Sequence, residues 1–325
     1  MSFIILHKFL DRMIKPDTPF FIRRFTTYFS ERFPLLLYLP FVVILYLSLS
    51  FLVQVLSENE AFIDYSSIYG IISGFLLMLL VRLFDDIKDE QLDHEIFPKR
   101  PVSRGAVLIS DVKLLAVITF AILIFINGFF IPRSILIFSI VMIYVLLTFK
   151  WFFAKELHIR QPKVAMISHQ PLPFAILFLL IHIALASGKT YNAFTQKHLL
   201  LLFTFALPIT AWEVSRKIKC LQNENKYETF SKIFGFRNAI FLSLTLYSIA
   251  GLLSMVLANQ LGFAYYFYIV IALSLVFLYY HFFRFLNNPL PENNNLQRIA
   301  MIFTGVLLVS IIIFFLLKFT IKILL

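Results

Sequence analysis

Acidic residues are concentrated in one short segment of this sequence. Six of the 18 Asp and Glu residues lie within residues 85–95. On a helix, Asp86, Asp89 and Asp93 would lie on one face, because they are spaced i, i+3 and i+7. Asp85 precedes Asp89 by one turn. Stacked carboxylates repel one another, but Mg²⁺ takes oxygen ligands and commonly bridges carboxylates to phosphate groups. The spacing predicts a Mg²⁺ site formed by these four aspartates, and a solvated acidic helix face is the alternative.

A second charged group follows a later apolar segment. Glu213 and Lys217 are four residues apart and therefore share a helix face, with Arg216 beside them. Because no Asp occurs after Asp111, a second aspartate cluster cannot form in this part of the chain. One interpretation is an interfacial salt bridge between Glu213 and Lys217 with no catalytic part. The other is a site at which these side chains meet a charged ligand.

The amino-acid composition indicates whether these charged groups belong to a soluble protein or to a membrane protein. Of 325 residues, 60% are hydrophobic and 14% are charged, and the mean hydropathy is +0.86. Soluble domains average about 45–50% apolar and about 25% charged residues. These values exclude a soluble globular enzyme, a disordered chain and, despite the net charge of +11, a nucleic-acid-binding protein. The single cysteine, Cys220, excludes an intrachain disulfide and a metal site built from several cysteines.

Long uncharged runs predict an all-α integral membrane protein, with about nine transmembrane helices around an apolar chamber. A spanning helix needs about 20 apolar residues. The predicted organisation is a basic amphipathic segment on the membrane surface, residues 1–33, followed by a single transmembrane domain, residues 34–325. The predicted spans are 34–57, 62–84, 106–127, 132–150, 164–187, 198–218, 238–258, 263–283 and 299–323.

Basic residues predict the orientation of these spans. If the N-terminus is cytoplasmic, 24 of the 29 Lys and Arg residues lie on the cytoplasmic side. That asymmetry is the positive-inside pattern, and it places the C-terminus outside. We expect a multi-pass protein of a bacterial plasma membrane. Its positive charge then reflects topology and contact with anionic lipid.

The first acidic segment resembles a motif of the UbiA superfamily of intramembrane prenyltransferases. The family motif has the form N-D-x-x-D-x-x-x-D, followed by an Arg-Pro step and a glycine. Here the sequence is Asp85-Asp86-x-x-Asp89-x-x-x-Asp93, followed by Arg100-Pro101 and Gly105, so Asp85 stands where the family has Asn. The family's second motif, D-x-x-x-D, is replaced by Glu213 and Lys217, whereas the ending from Thr229 to Gly235 is similar.

The resemblance implies Mg²⁺-dependent transfer of an isoprenyl group from a prenyl diphosphate to a lipophilic, often aromatic, acceptor within the bilayer. Asp86 and Asp89 would be the main metal ligands, with Asp85 and Asp93 secondary. Lys217 would hold the diphosphate in place of a second metal ion, and we assign it, with Asp86 and Asp89, to catalysis. Cationic and acidic side chains at the same helix ends are expected to bind the substrate: Arg82, Arg100, Lys150, Glu213 and Arg216.

Two alternatives to prenyl transfer stay open. A UbiA-type terpene cyclase would ionise the same diphosphate but trap the carbocation internally, without an acceptor. A catalytically inactive homologue or a carrier is the other alternative, because the second aspartate motif is missing. Carriers usually place ionisable groups near the membrane midplane, whereas the centres of these spans hold few beyond histidine.

Overall fold

Long apolar segments form the main helices of the computed structural model, which describes residues 21–57, 60–187, 193–224 and 229–324. Within these ranges, nine helical segments are long and apolar enough to cross a membrane. The predicted number of spans and the all-α membrane class are therefore confirmed. The segments are Leu35–Leu56, Tyr65–Lys88, Ile109–Phe130, Pro132–Phe149, Pro162–Leu185, Gln196–Arg216, Phe236–Leu261, Tyr266–Asn287 and Pro291–Lys318.

The chain divides into two compact units. The first contains Met1–Phe41, of which residues 21–41 are described, and Phe75–Ile124. Phe33 is buried in this unit, with its ring centroid 4.0 Å from that of Tyr38 and 5.4 Å from that of Phe75. The helices that lie wholly or partly in this unit are α1 (Phe21–Glu31), α2 (Leu35–Leu56), α3 (Tyr65–Lys88), α4 (Glu90–Ile96) and α5 (Ile109–Phe125).

The acidic segment begins inside α3, since this helix continues four residues beyond the predicted end at residue 84. Hydropathy underestimates the length because the last turn is charged. Asp89 separates α3 from α4, with φ −97° and ψ 10°. Its N–H donates to the Asp85 carbonyl at 2.9 Å, and the Asp93 N–H donates to the Asp89 carbonyl at 2.8 Å. The i, i+4 hydrogen bonds therefore continue on both sides of the break, and the carboxylates keep nearly helical spacing.

The second unit contains Val42–Gly74 and Phe125–Leu325. A short parallel pair joins β1 (Ala61–Ile63) to β2 (Ile321–Ile323), with Ala61 opposite Ile321. The remaining helices of this unit are α6 (Ile135–Phe149), α7 (Lys155–Arg160), α8 (Pro162–His169), α9 (Leu172–Leu185), α10 (Gln196–Arg216), α11 (Phe230–Phe234), α12 (Phe236–Leu261), α13 (Tyr266–Asn287) and α14 (Leu296–Lys318).

Two predicted spans differ in detail from the structure. The fifth is divided into α8 and α9 at residues 170–171, because Pro171 and Pro173 lack the N–H that would continue the hydrogen bonding. The ninth ends at Lys318 and is followed by β2, which hydropathy alone does not distinguish from more helix. Helix α10 is the most buried of the described spans. It packs on α12, where the Ser215 and Ser243 hydroxyls are 2.7 Å apart.

Candidate functional site

Asp86 is the most enclosed of the four predicted metal ligands, with 4% of the residue exposed. The Tyr28 hydroxyl donates to its Oδ2 at 2.9 Å, and Arg32 Nε donates to the same oxygen at 3.1 Å. Another Arg32 nitrogen contacts Oδ1, and an Arg82 nitrogen lies 3.1 Å from that atom. Burial and the charge of Asp86 raise the pKa of Tyr28, so its hydroxyl stays protonated as a donor. Asp86 is therefore held by two cations and a phenol.

Asp93 shares one of these cations. The Arg32 nitrogen that contacts Asp86 also lies 3.9 Å from Asp93 Oδ2, and Arg100 forms an ion pair with Asp93 Oδ1. The Arg100 guanidinium stacks over the Phe97 ring at 3.8 Å from its centroid. The Arg100 N–H donates to the Phe97 carbonyl at 3.0 Å, which fixes the turn that presents the side chain. The predicted substrate ligand Arg100 thus contacts the aspartate motif directly.

Helix α1 brings Arg32 to this site. Arg24 Nε donates to Asp111 Oδ2 at 2.7 Å, and a second guanidinium nitrogen lies 3.2 Å from Oδ1. Arg24 and Asp111 are 1% and 3% exposed. At the other end of α1, Arg104 donates to Glu31 at 2.8 Å. The helix is therefore anchored at both ends against residues 104–111.

Sequence reasoning missed Tyr28 and Arg32, although a signal for them is present. Arg24, Tyr28 and Arg32 are spaced i, i+4 and i+8, so they form one polar stripe along α1. The Arg32 N–H donates to the Tyr28 carbonyl at 2.8 Å, which continues the helical turn past Glu31. Residues 1–20 of the predicted surface segment lie outside the described residues. In the described part, Arg24 and Tyr28 are buried within the protein, and the location of this segment on the membrane surface stays a prediction.

The structure does not gather the four aspartates around one point. Asp85 is 48% exposed at its side chain, and one of its oxygens lies 3.5 Å from the Lys88 ammonium. Asp89 occupies the N-cap position of α4. No group of three or more His, Cys, Asp or Glu residues with metal-binding geometry occurs among the described residues. Arginines therefore supply the positive charge next to Asp86 and Asp93.

The donor set nevertheless fits Mg²⁺ in its chemistry. All four candidates offer carboxylate oxygens, which are the ligands that Mg²⁺ prefers. Asp86 and Asp93 are also close enough for one Arg32 nitrogen to lie within ion-pair distance of both. A divalent cation in place of that nitrogen could bridge the same two carboxylates. Magnesium binding at this motif stays a prediction.

The Arg82 side chain has one hydrogen-bond donor, its Nε, that is not used by the contacts described above. Its Nε is buried and forms no hydrogen bond with any of the described residues. A buried donor without a partner costs free energy, so this atom is suited to a polar ligand. Its position four residues before Asp86 agrees with the predicted substrate-binding role.

The second charged group lies at the C-terminal end of α10, in the second unit. Arg216 forms two hydrogen bonds with Glu213, one of 2.6 Å to Oε1. The Lys217 ammonium lies 3.0 Å from the same oxygen. Beyond the helix, the Thr229 and Ser231 hydroxyls donate to the Glu224 carboxylate at 2.8 and 2.6 Å. Glu213, Arg216 and Lys217 are thus brought together as predicted, and the contacts form the salt bridge that one interpretation describes.

Lys150 follows α6 and is exposed. Its ammonium lies 5.1 Å from the centroid of the Phe149 ring. In the preceding helix, the Tyr144 hydroxyl donates to the Ser168 carbonyl at 2.6 Å, so Tyr144 links α6 to the end of α8. Lys150 is therefore accessible to an anion at this helix end.

Comparison with known proteins identifies the fold. No family model and no curated protein matches the sequence. The structure is similar to that of a digeranylgeranylglyceryl phosphate synthase, with a TM-score of 0.61 and 17% identity over 89% of this chain and 98% of that chain. It is also similar to the apo structure of a UbiA homologue from Aeropyrum pernix K1, with a TM-score of 0.60 and 16% identity over 83% of this chain and 97% of that chain. The chain therefore shares the fold of these two proteins, which is the all-α membrane fold that the resemblance of its first aspartate motif implied.

Proposed function

We propose that this protein is an intramembrane prenyltransferase that moves an isoprenyl group from a prenyl diphosphate to a lipophilic acceptor, such as an aromatic compound. The observation that supports this most is the buried carboxylate pair Asp86 and Asp93, bridged by one cation at a helix end of a UbiA fold. Carboxylates that share a cation at the end of a spanning helix are suited to meet a diphosphate whose prenyl tail lies in lipid.

Mg²⁺ bound by Asp86 and Asp89, with Asp85 and Asp93, would supply positive charge to the departing diphosphate. The Arg82 Nε and the Arg100 guanidinium are fixed donors for the phosphate oxygens on the first unit. Lys217, Arg216 and Lys150 stay the further substrate-binding candidates of the sequence, and Glu213 forms ion pairs with the first two. The apolar spans exclude water, which protects an allylic carbocation.

The test is an assay of pyrophosphate release by the purified protein. Prenyl diphosphates of several lengths are supplied with Mg²⁺ or with a chelator, each with and without a lipid-soluble extract as the source of acceptor. We expect release that depends on both Mg²⁺ and the extract. Release without the extract would instead favour the terpene cyclase. No release from any diphosphate would contradict both enzymatic proposals and favour an inactive homologue or a carrier.

We expect the N-terminus in the cytoplasm and the C-terminus outside, in the plasma membrane of a bacterium. Single cysteines can test the orientation in a Cys220→Ser background, at the exposed positions Glu95, Leu221 and Ala264. A membrane-impermeant maleimide should label Ala264→Cys in intact cells, and Glu95→Cys and Leu221→Cys only after permeabilisation. The reverse pattern would invert the topology.

A further inference from the structure

A cavity of about 440 Å³ lies beside the aspartate motif, in the first unit. Its walls are the end of α1, at Glu31 and Arg32, and the segment 96–101 that follows α4. The volume lies within the range of about 300–1,000 Å³ that is usual for small-ligand sites. Pro98 and Pro101 restrict the backbone of one wall. The cavity can therefore hold a group of the size of a phosphate or diphosphate.

The side chains around this cavity carry an excess of positive charge. Arg32, Lys99 and Arg100 line it, and Glu31 is the one acidic residue in its lining. Glu31 is already neutralised by Arg104, whose nitrogen is 2.8 Å from its carboxylate. Lys99 is exposed and forms no ion pair with a described residue. The charge and size of the cavity therefore favour a phosphate-bearing anion.

Two of these cations belong to the aspartate motif as well. Arg32 contacts Asp86 and Asp93, and Arg100 contacts Asp93. A guanidinium has five N–H donors in a planar fork and binds phosphate as readily as carboxylate. Arg32 and Arg100 can therefore exchange a carboxylate for a phosphate oxygen by a side-chain movement across one cavity wall.

We propose that the cavity lined by Arg32, Lys99 and Arg100 binds a phosphate-bearing anion, and that this anion draws Arg32 away from Asp86 and Asp93. Without the anion, Arg32 occupies the space next to both carboxylates and competes with a divalent cation. With the anion bound, the two carboxylates become available to the cation. Anion and cation then favour each other's binding, and linkage requires the coupling to be the same in both directions.

The experiment measures Mn²⁺ binding by electron paramagnetic resonance, on the full chain in phosphatidylcholine nanodiscs. Mn²⁺ is the probe for the divalent cation, and sulfate is the probe for the anion, compared with chloride at equal ionic strength. We expect sulfate to tighten Mn²⁺ binding to the wild-type protein by about 5- to 150-fold, the usual size of such coupling. An Mn²⁺ affinity that is changed neither by sulfate nor by an anionic lipid headgroup would overturn the proposal.

Variants separate competition by Arg32 from general loosening of α1. Arg32→Gln should tighten Mn²⁺ binding without sulfate, by at least about tenfold, and should abolish the sulfate effect. Lys99→Gln should weaken the sulfate effect, because it removes a cavity cation that contacts no carboxylate.

Lys113→Gln, an exposed control on α5, should behave as wild type. Arg104→Gln releases Glu31 and the Lys99 carbonyl but leaves Arg32 in place. An equal gain in Mn²⁺ affinity from this variant would contradict the role of Arg32. If Arg32→Gln does not fold, Arg32→Lys takes its place in the test. This variant keeps the charge but not the planar fork, so we expect an Mn²⁺ affinity and a sulfate effect between those of wild type and those expected for Arg32→Gln.

The same measurement distinguishes the two sources of such an anion. Replacing part of the phosphatidylcholine by phosphatidylglycerol, without sulfate, tests a lipid headgroup, whereas sulfate in the first nanodiscs tests a free anion. An anionic bilayer also attracts Mn²⁺ to its own surface, so the lipid effect is compared between wild type and Arg32→Gln. Tightening by either anion that Arg32→Gln abolishes supports the anion site, and tightening by neither contradicts it. The proposal rests on the proposed function only for the identity of the anion as a prenyl diphosphate. If no diphosphate is cleaved but the coupling persists, prenyl transfer fails and the anion site stands.

Discussion

The two charged groups of this protein obtain their counter-charges in different ways. At the first group, Arg32 reaches Asp86 from 54 positions earlier in the chain, and Arg100 reaches Asp93 from a separate turn. At the second group, Arg216 and Lys217 reach Glu213 from within one turn of α10. The first arrangement depends on tertiary docking, whereas the second is a local property of one helix. A change far from the carboxylates should therefore affect only the first.

The greatest effect is expected from the anchor of α1. Arg24→Met leaves Asp111 charged and buried without its partner, which typically costs about 3–5 kcal/mol of folding free energy. Unfolding of the detergent-solubilised protein measures the loss. Arg23→Met is the matched control, since Arg23 is exposed on the same helix. The double variant Arg24→Met/Asp111→Leu should recover much of the stability, and a single Arg24→Met variant as stable as Arg23→Met would contradict the anchor.

The next effect concerns the metal ligands of the first group. Asp89→Asn keeps the shape of the side chain and removes its charge, so pyrophosphate release should fall at least ~10²-fold. Glu60→Gln, which removes an exposed acid paired with Lys322, should leave the rate unchanged. Wild-type turnover by Asp86→Asn/Asp89→Asn would exclude the motif from catalysis.

What the sequence could predict follows the same division between local and tertiary structure. The nine spans could be predicted because twenty apolar residues in a row are a local property, and Glu213 with Lys217 could be paired from their i, i+4 spacing. The pairing of Arg32 with Asp86 could not, because it depends on how α1 docks. A polar stripe on α1 shows that one face has partners, but many acids of the chain could supply them. The parallel pair of β1 and β2 joins residues about 260 positions apart, and no local pattern specifies it.

Lys217 tests whether the local group takes part in function. Lys217→Met keeps the apolar stem and deletes the charge, and we expect diphosphate affinity to fall by about tenfold, since a charge-assisted hydrogen bond contributes about 1.5–3 kcal/mol. The folding free energy should change little, because Arg216 still neutralises Glu213. Isothermal titration with pyrophosphate measures the affinity. Unchanged affinity and unchanged Mg²⁺ dependence would leave only the salt bridge and favour the inactive homologue.

The smallest effect is expected where the docking of α1 is exposed. The Glu31 and Arg104 side chains are each 40% exposed, so solvent and salt screen their attraction. The Arg104 guanidinium holds the pKa of Glu31 below its usual value of 4.5, so the folded state favours the ionised carboxylate. This contribution is complete above pH 4.5 and is lost as the pH falls through the lower pKa of the folded protein. Glu31→Gln should therefore melt slightly below wild type at pH 7, and the difference should shrink at pH 3 or in 1 M salt. Every other acid titrates in both proteins, so the difference in melting temperature between them isolates this pair. A difference that is independent of pH would show that Glu31 acts through packing and not through its charge.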